Sequence, residues 1–266
     1  MEELLWHYTD SAGVLGILTT GEFWASNIDF MNDATENNRL RELVGEQLRS
    51  RSKSKQHDSS TAPDELAGNL GFSAYGPQLY VASFSECRDS LSQWRAYGNF
   101  AIGFSKSFLS QLNHDPDEKI GHFGRRMYFG PVRYYSKAND EWLIDYLTRT
   151  LMGEARDIDL KSQNMTPEEL RWLTPRFKDD SFSEEKEWRL ICLGNVDYMG
   201  IKFRPRKSTI VPYIVVKLDN LSNQIGEIIV GPDANSSLNI KALELFTDAR
   251  QGQFTVSKTR VPFRNW

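Results

Sequence analysis

Leu4-Leu5-Trp6-His7-Tyr8-Thr9 is a short apolar run that ends in polar groups, and it opens a unit that extends to Ser26. From Ser11 to Thr20 the pattern is helical, and Gly21 supplies the left-handed residue on which helices commonly end. Glu22-Phe23-Trp24-Ala25-Ser26 then alternates as a strand does. The chain therefore opens strand, helix, strand. Far downstream, Ser183-Glu184-Glu185-Lys186-Glu187-Trp188-Arg189-Leu190-Ile191-Cys192 places an acidic cluster at the mouth of another apolar strand.

Between and beyond these two stretches the elements are short. Strands are expected over 79–84, 100–104, 126–135, 187–193, 210–218, 226–230 and 253–257, with Gly130-Pro131 interrupting the third. Helices are expected over 89–97, over 106–112 behind a Ser105 cap, and over 138–153, 166–173 and 238–247. Asp33 and Glu36 form a capping box ahead of a polar helix reaching about residue 50. The fold class is α+β, with mixed, largely antiparallel short-stranded sheets and inserted helices. Residues 51–66, rich in Ser, Lys, Asp and Pro, read as a flexible loop inside a single domain spanning 1–266.

A net charge of −4 gives no global field for nucleic acid. Basic clusters are local: 49–55, Arg125-Arg126, and Lys202-Phe203-Arg204-Pro205-Arg206-Lys207. The last, with an aromatic inside it, is the best of them for phosphate contact, against the plainer reading of a solvated surface. Cys87 and Cys192 lie far apart, and His7, His57, His114 and His122 show no metal-ligand spacing, so no metal site is expected. No leader or membrane-length apolar run is visible, and the expectation is a cytoplasmic protein with reduced thiols.

Three boxes carry chemistry. His7 offers a donor and an acceptor at neutral pH, although a strand can end in histidine for packing alone. Ser85 to Gly98 crowds polar groups between two apolar strands, and a capped helix with Leu91 and Trp94 facing the core accounts for part of it. Glu185 and Glu187 fall on one face of a strand start, with Trp188 on the other. The plain account is an exposed edge on which Arg189 pairs with a neighbouring acid.

The boxes Leu-x-His-Tyr-Thr, Asn-Asp-x-x-Glu, Ser-Phe-Ser-Glu with Ser-Gln-Trp-x-x-Tyr-Gly, Glu-x-Glu-Trp-Arg, Val-Gly-Pro and Ser-Lys-x-x-x-Pro-x-Arg run from residue 4 to about residue 264. Together they resemble a bacterial family catalogued only as a domain of unknown function and met in phage-defence and mobile-element settings. His7-Tyr8-Thr9 and Glu185-x-Glu187 further resemble the histidine-bearing branch of the ADP-ribosyltransferases.

That resemblance implies an ADP-ribosyltransferase-like fold and NAD as substrate, in a bacterial toxin or antiphage effector. It implies that His7, with Tyr8 and Thr9, binds the nicotinamide half. Ser85 or Ser92 supplies the hydroxyl that frames the ring and Tyr97 stacks on it, with Tyr8 as the alternative stacking residue. Glu187 stabilises the ribosyl cation, Glu185 orients or deprotonates the acceptor, and Arg189 holds a carboxylate or a pyrophosphate oxygen. The acceptor is a protein, a nucleic acid or water, and an antitoxin or defence-system partner is possible in that setting. Two other readings stay open. One is a non-catalytic nucleotide- or peptide-binding sensor module. The other is a metal-dependent nuclease using Glu185, Glu187 and Asp33.

Overall fold

Alternation along β1 (Leu4–Thr9) sends Leu5 and His7 to one side and Trp6 and Tyr8 to the other. Helix α1 (Ser11–Thr20) starts where Asp10 caps it by accepting from the Gly13 amide at 2.8 Å, and Gly21 ends it at φ 66°. Strand β2 (Glu22–Asn27) comes next. The computed structural model describes residues 2–31, 39–54, 78–112, 126–152, 173–194, 200–206, 208–218, 221–250 and 253–262. The expected capping box at Asp33–Glu36 and all but the last residue of the expected helix over 166–173 lie outside these residues.

The remaining strands are β3 (Gln78–Ser85), β4 (Phe100–Ser105), β5 (Arg126–Pro131), β6 (Arg133–Tyr134), β7 (Phe177–Lys178), β8 (Glu187–Gly194), β9 (Lys202–Arg206), β10 (Thr209–Lys217), β11 (Ile225–Val230) and β12 (Thr255–Lys258). The helices are α2 (Arg39–Ser54), α3 (Leu91–Tyr97), α4 (Lys106–Ser110), α5 (Lys137–Leu151) and α6 (Ser236–Arg250). The fold is α+β, built on a mixed, mostly antiparallel sheet ordered β12-β11-β4-β1-β3-β2-β10-β9. Strand β8 pairs with β3 along all of its length and carries β5 on its far side.

Most expected elements are present within a residue or two, and two differ in an informative way. Helix α2 continues to Ser54, into the stretch that reads as loop from residue 51. Its buried Leu40, Val44 and Leu48 recur every fourth residue and pack on Leu143, Ile144 and Leu147 of α5, so the polar Ser-Lys run simply rides on the outer face. Strand β9 is unexpected: in the sequence its residues read as a surface basic cluster.

Strands β1 and β2 both pair with the same edge of β3: Trp6 stands opposite Ser85, while Ser26 and Asn27 stand opposite Val81 and Tyr80. Between these contacts β1 and β2 part, leaving a split over β3 residues 82–84. One face of the sheet holds the main core of Leu5, Phe23, Tyr80, Phe84, Phe104, Phe129 and Leu190. On the other face, Trp6, Tyr8, Trp94, Ala101 and Ile229 form a corner cluster.

Candidate active site

Paired residues in a ladder share a face, and successive residues alternate. Trp6 pairs with Ser85 and Ser85 with Glu187, so these three, from β1, β3 and β8, form one row on one face. Tyr8 and Arg189 share that face, whereas His7 and Trp188 point to the opposite one. The structure thus brings the first, middle and acidic boxes side by side. It places the His7 and Glu187 side chains on different faces.

Glu187 and Arg189 of the acidic box are buried, and Glu185 partly so. The Arg189 guanidinium, fully buried, grips Glu187 in a fork, Nε to Oε1 at 2.8 Å and Nη2 to Oε2 at 2.9 Å, and donates Nη1 to the Pro175 carbonyl at 2.6 Å. Lys178 Nζ bonds Glu185 at 2.7 Å and Glu187 at 3.2 Å, and sits 4.6 Å from the centre of the Phe182 ring. Burial alone would raise the Glu187 carboxyl, but the charges of Arg189 and Lys178 outweigh it and hold the group ionised, below the usual carboxylate range. The Glu187 amide donates to the Tyr134 hydroxyl at 2.7 Å, and burial pushes that phenol up to about 12.

Glu185 is not on the strand. It closes a 3-10 turn spanning Asp180–Glu185, and Lys186 adopts φ 42° to swing the chain into β8. Both carboxylates nevertheless converge on Lys178, so the Glu-x-Glu spacing does bring them together. The exposed-edge reading does not hold here, because β8 lies between β3 and β5 and Glu187 is 5% exposed. Ser85 holds the turn: its hydroxyl donates to the Glu185 carbonyl at 2.6 Å and accepts from the Cys87 amide at 2.9 Å.

Sequence reasoning misses Lys178. It lies in two-residue β7, where alternation sends Phe177 into the helical cluster of α2 and α5 and Lys178 toward the acids. A lysine between Phe177 and Asp179-Asp180 looks like any surface cation, and nothing local marks it as buried.

Tyr8 belongs to the corner. Its ring meets Trp94 edge-on at 4.7 Å, and its hydroxyl donates to the Cys87 carbonyl at 2.7 Å while accepting from the Ser90 amide at 3.1 Å. Trp94 Nε1 donates to Asp89, which also receives Thr259 Oγ1 and the Arg260 amide. Gly98, at φ 129°, lies so close to β1 that a Cβ there would stand 2.6 Å from the Thr9 carbonyl oxygen. A Cβ on Gly231 would stand 2.7 Å from the Trp94 ring. Four of the sequence boxes therefore meet in this corner, and packing explains them. Tyr97, half-buried, lines its rim.

His7 bridges the split. Its Nδ1 lies 2.9 Å from the Ser83 carbonyl, so Nδ1 carries the proton and the neutral ring leaves Nε2 as an acceptor. Its ring also packs edge-on against Phe23 at 5.6 Å and, tilted, against Phe84 at 5.5 Å. Burial lowers its pKa, the Ser83 carbonyl opposes this, and the nearby Arg204 charge adds to it. Tyr8 and Thr9 follow it to the end of β1, and Asp10 comes next. Two buried polar atoms in this part of the sheet, Ser83 Oγ and Arg204 Nε, have no well-formed hydrogen bond among the described residues. Ser83 shares the Glu187 face, and its hydroxyl, short of a well-formed bond, still favours the ionised carboxylate.

Among the described residues, no cluster of His, Cys, Asp or Glu is arranged to hold a metal ion, and Asp33 of the nuclease reading lies outside them. Both cysteines are free, and no described helix is long and apolar enough to cross a membrane.

A family model described as a protein of unknown function, DUF2971, matches residues 93–190. The matched stretch runs from Gln93 in α3 to Leu190 in β8, and so includes Tyr134, Lys178, Glu185, Glu187 and Arg189. No curated protein matches the chain, and neither does any solved structure.

Proposed function

We propose that this chain is an NAD-cleaving ADP-ribosyltransferase, acting as an effector of a bacterial toxin or antiphage system. The observation that carries the reading is the row Trp6–Ser85–Glu187, which sets the three motif-bearing strands next to one another at the edge where the sheet splits. The neutral His7, with Nε2 as acceptor, suits a ribose hydroxyl or a carboxamide. The orphaned Arg204 Nε suits a phosphate oxygen.

In the reaction the nicotinamide leaves with the bonding electron pair, and positive charge builds on the ribose ring carbon. A carboxylate kept ionised by Lys178 and Arg189 is the group that stabilises such charge in a water-poor site. The acceptor oxygen then adds to that carbon, and Glu185 takes its proton. Glu187 exchanges its Lys178 contact for the substrate on this reading, and His7 serves the part of the dinucleotide on the other side of the split.

A second reading is favoured by one observation. Both oxygens of Glu187 are held by Arg189, and the side chain faces away from His7. That arrangement suits a nucleotide-binding module in which the acids are structural.

Incubation of the protein with labelled NAD and cell lysate separates the two readings. The transferase releases nicotinamide or transfers label, and Glu187→Gln abolishes this while the variant still binds NAD. Binding without turnover in the unaltered chain leaves the module. Neither binding nor turnover removes both readings.

A further inference from the structure

The unforeseen strand β9 builds a second feature beside the split. Arg204 pairs with Val211, Lys202 with Tyr213 and Arg206 with Thr209, while Tyr213 pairs in turn with Ser26 and Val215 with Trp24. Register therefore sets Lys202, Arg204 and Arg206 on one face with Tyr213, Ser26 and Trp24. Trp24 is 42% exposed, its ring lies 4.7 Å from that of Tyr213 at 31°, and the Arg204 guanidinium stands 5.9 Å from the Trp24 ring centre.

Arg204 is placed as a residue awaiting an anion. Its Nη2 donates to Ser26 Oγ at 2.9 Å, its Nε is buried without a partner, and it makes no ion pair among the described residues. Asp10, at the end of β1, is the acid whose charge reaches it, and Arg206 opposes it as a like charge. A guanidinium half-buried beside another arginine is disfavoured on its own, and its fork of donors matches a phosphate. The flat, exposed indole alongside supplies a stacking surface for a base.

We infer that the Arg204–Trp24 face binds the nucleoside diphosphate portion of a nucleotide, with Arg204 on the phosphates and Trp24 under the base. The identity of that nucleotide as NAD rests on the proposed transferase activity; the recognition of base plus phosphate does not.

The test titrates the full chain with ADP and with adenosine, by calorimetry and tryptophan fluorescence, beside Arg204→Gln, Arg204→Lys and Trp24→Ala. The unaltered chain binds ADP more tightly than adenosine. Arg204→Gln weakens ADP by at least about tenfold, since a charge-assisted hydrogen bond is worth roughly 1.5–3 kcal/mol. Arg204→Lys retains part of the affinity, and Trp24→Ala weakens both ligands. Thermal melting of each variant verifies that it is folded.

No ADP binding by the unaltered chain overturns the inference, as does equal affinity for ADP and adenosine, or full ADP affinity in folded Arg204→Gln. If NAD is cleaved and ADP affinity ignores Arg204, this site falls and the transferase reading stands. If ADP binds through Arg204 and nicotinamide is never released, the site stands and the cleavage reading falls.

Discussion

The acid cluster under β8 and the mouth of the split are both rich in charge, and they differ in how that charge is answered. Around Lys178 each ionised side chain meets an opposite charge at hydrogen-bond distance: Glu185 and Glu187 on the lysine, Glu187 again on Arg189. At the split, Arg204 Nε and Ser83 Oγ have no well-formed hydrogen bond among the described residues, and the bond His7 makes there uses one ring nitrogen. A closed network makes a scaffold rigid, whereas an open one leaves desolvated donors that a ligand can satisfy. The contrast teaches that a dense cluster of charge can be a closed one, while the cation at the split is left without an ion pair among the described residues.

The sharpest way to break this comparison is to remove one cation from each region. Arg189→Met leaves Glu187 buried and half-paired, and unfolding stability should fall by about 3–5 kcal/mol. Arg204→Gln removes a cation that has no ionic partner among the described residues, and stability should move by no more than about 1 kcal/mol. Urea denaturation of both variants measures the pair. Equal losses would mean that Arg204 is as structural as Arg189, and the contrast between the regions would be gone.

A smaller effect tests the corner that absorbs most of the motif residues. Tyr8→Phe removes a hydroxyl that both donates to Cys87 and accepts from Ser90, leaving a part-buried carbonyl and amide short of a partner. A loss of about 1–3 kcal/mol is expected, with ADP affinity unchanged. A variant of full stability and impaired nucleotide binding would move Tyr8 out of the corner and into the site.

The strand–helix–strand opening is legible because Asp10, Gly21 and the alternation in 22–26 each name a local conformation. Strands β3, β4, β8, β10 and β11 are legible because burial makes them continuous apolar runs. Strand β9 is not, since an edge strand with charges at Lys202, Arg204 and Arg206 and a proline between looks like a loop. The sidedness of the site is hidden for a deeper reason. His7 and Glu187 are both strand residues, and which face each takes depends on a register that a one-residue slip reverses. Lys178 is illegible because the groups that meet it, Glu185, Glu187 and the Phe182 ring, are brought to it by the tertiary fold and not by its own neighbours along β7.

The smallest effect sharpens the state of His7. Its pKa in the folded chain lies below the ordinary 6.5, because burial and Arg204 disfavour the charged ring. As pH falls through 6.5 the unfolded chain binds a proton that the folded chain refuses, so stability is full above that value and is lost on the way down to the folded pKa. Glu187 stays out of this window: its folded pKa lies below 4.5, so its contribution is lost only as pH falls beneath the ordinary carboxylate range. Denaturation near pH 7.5 and near pH 5.5 should show a larger acid loss in the unaltered chain than in His7→Asn, whose amide keeps a donor for Ser83 and does not titrate. The other histidines are common to both chains and cancel. An identical acid loss in the two would show that His7 takes up its proton as readily in the folded chain as in the unfolded one, and the neutral-acceptor role given to its Nε2 would fall.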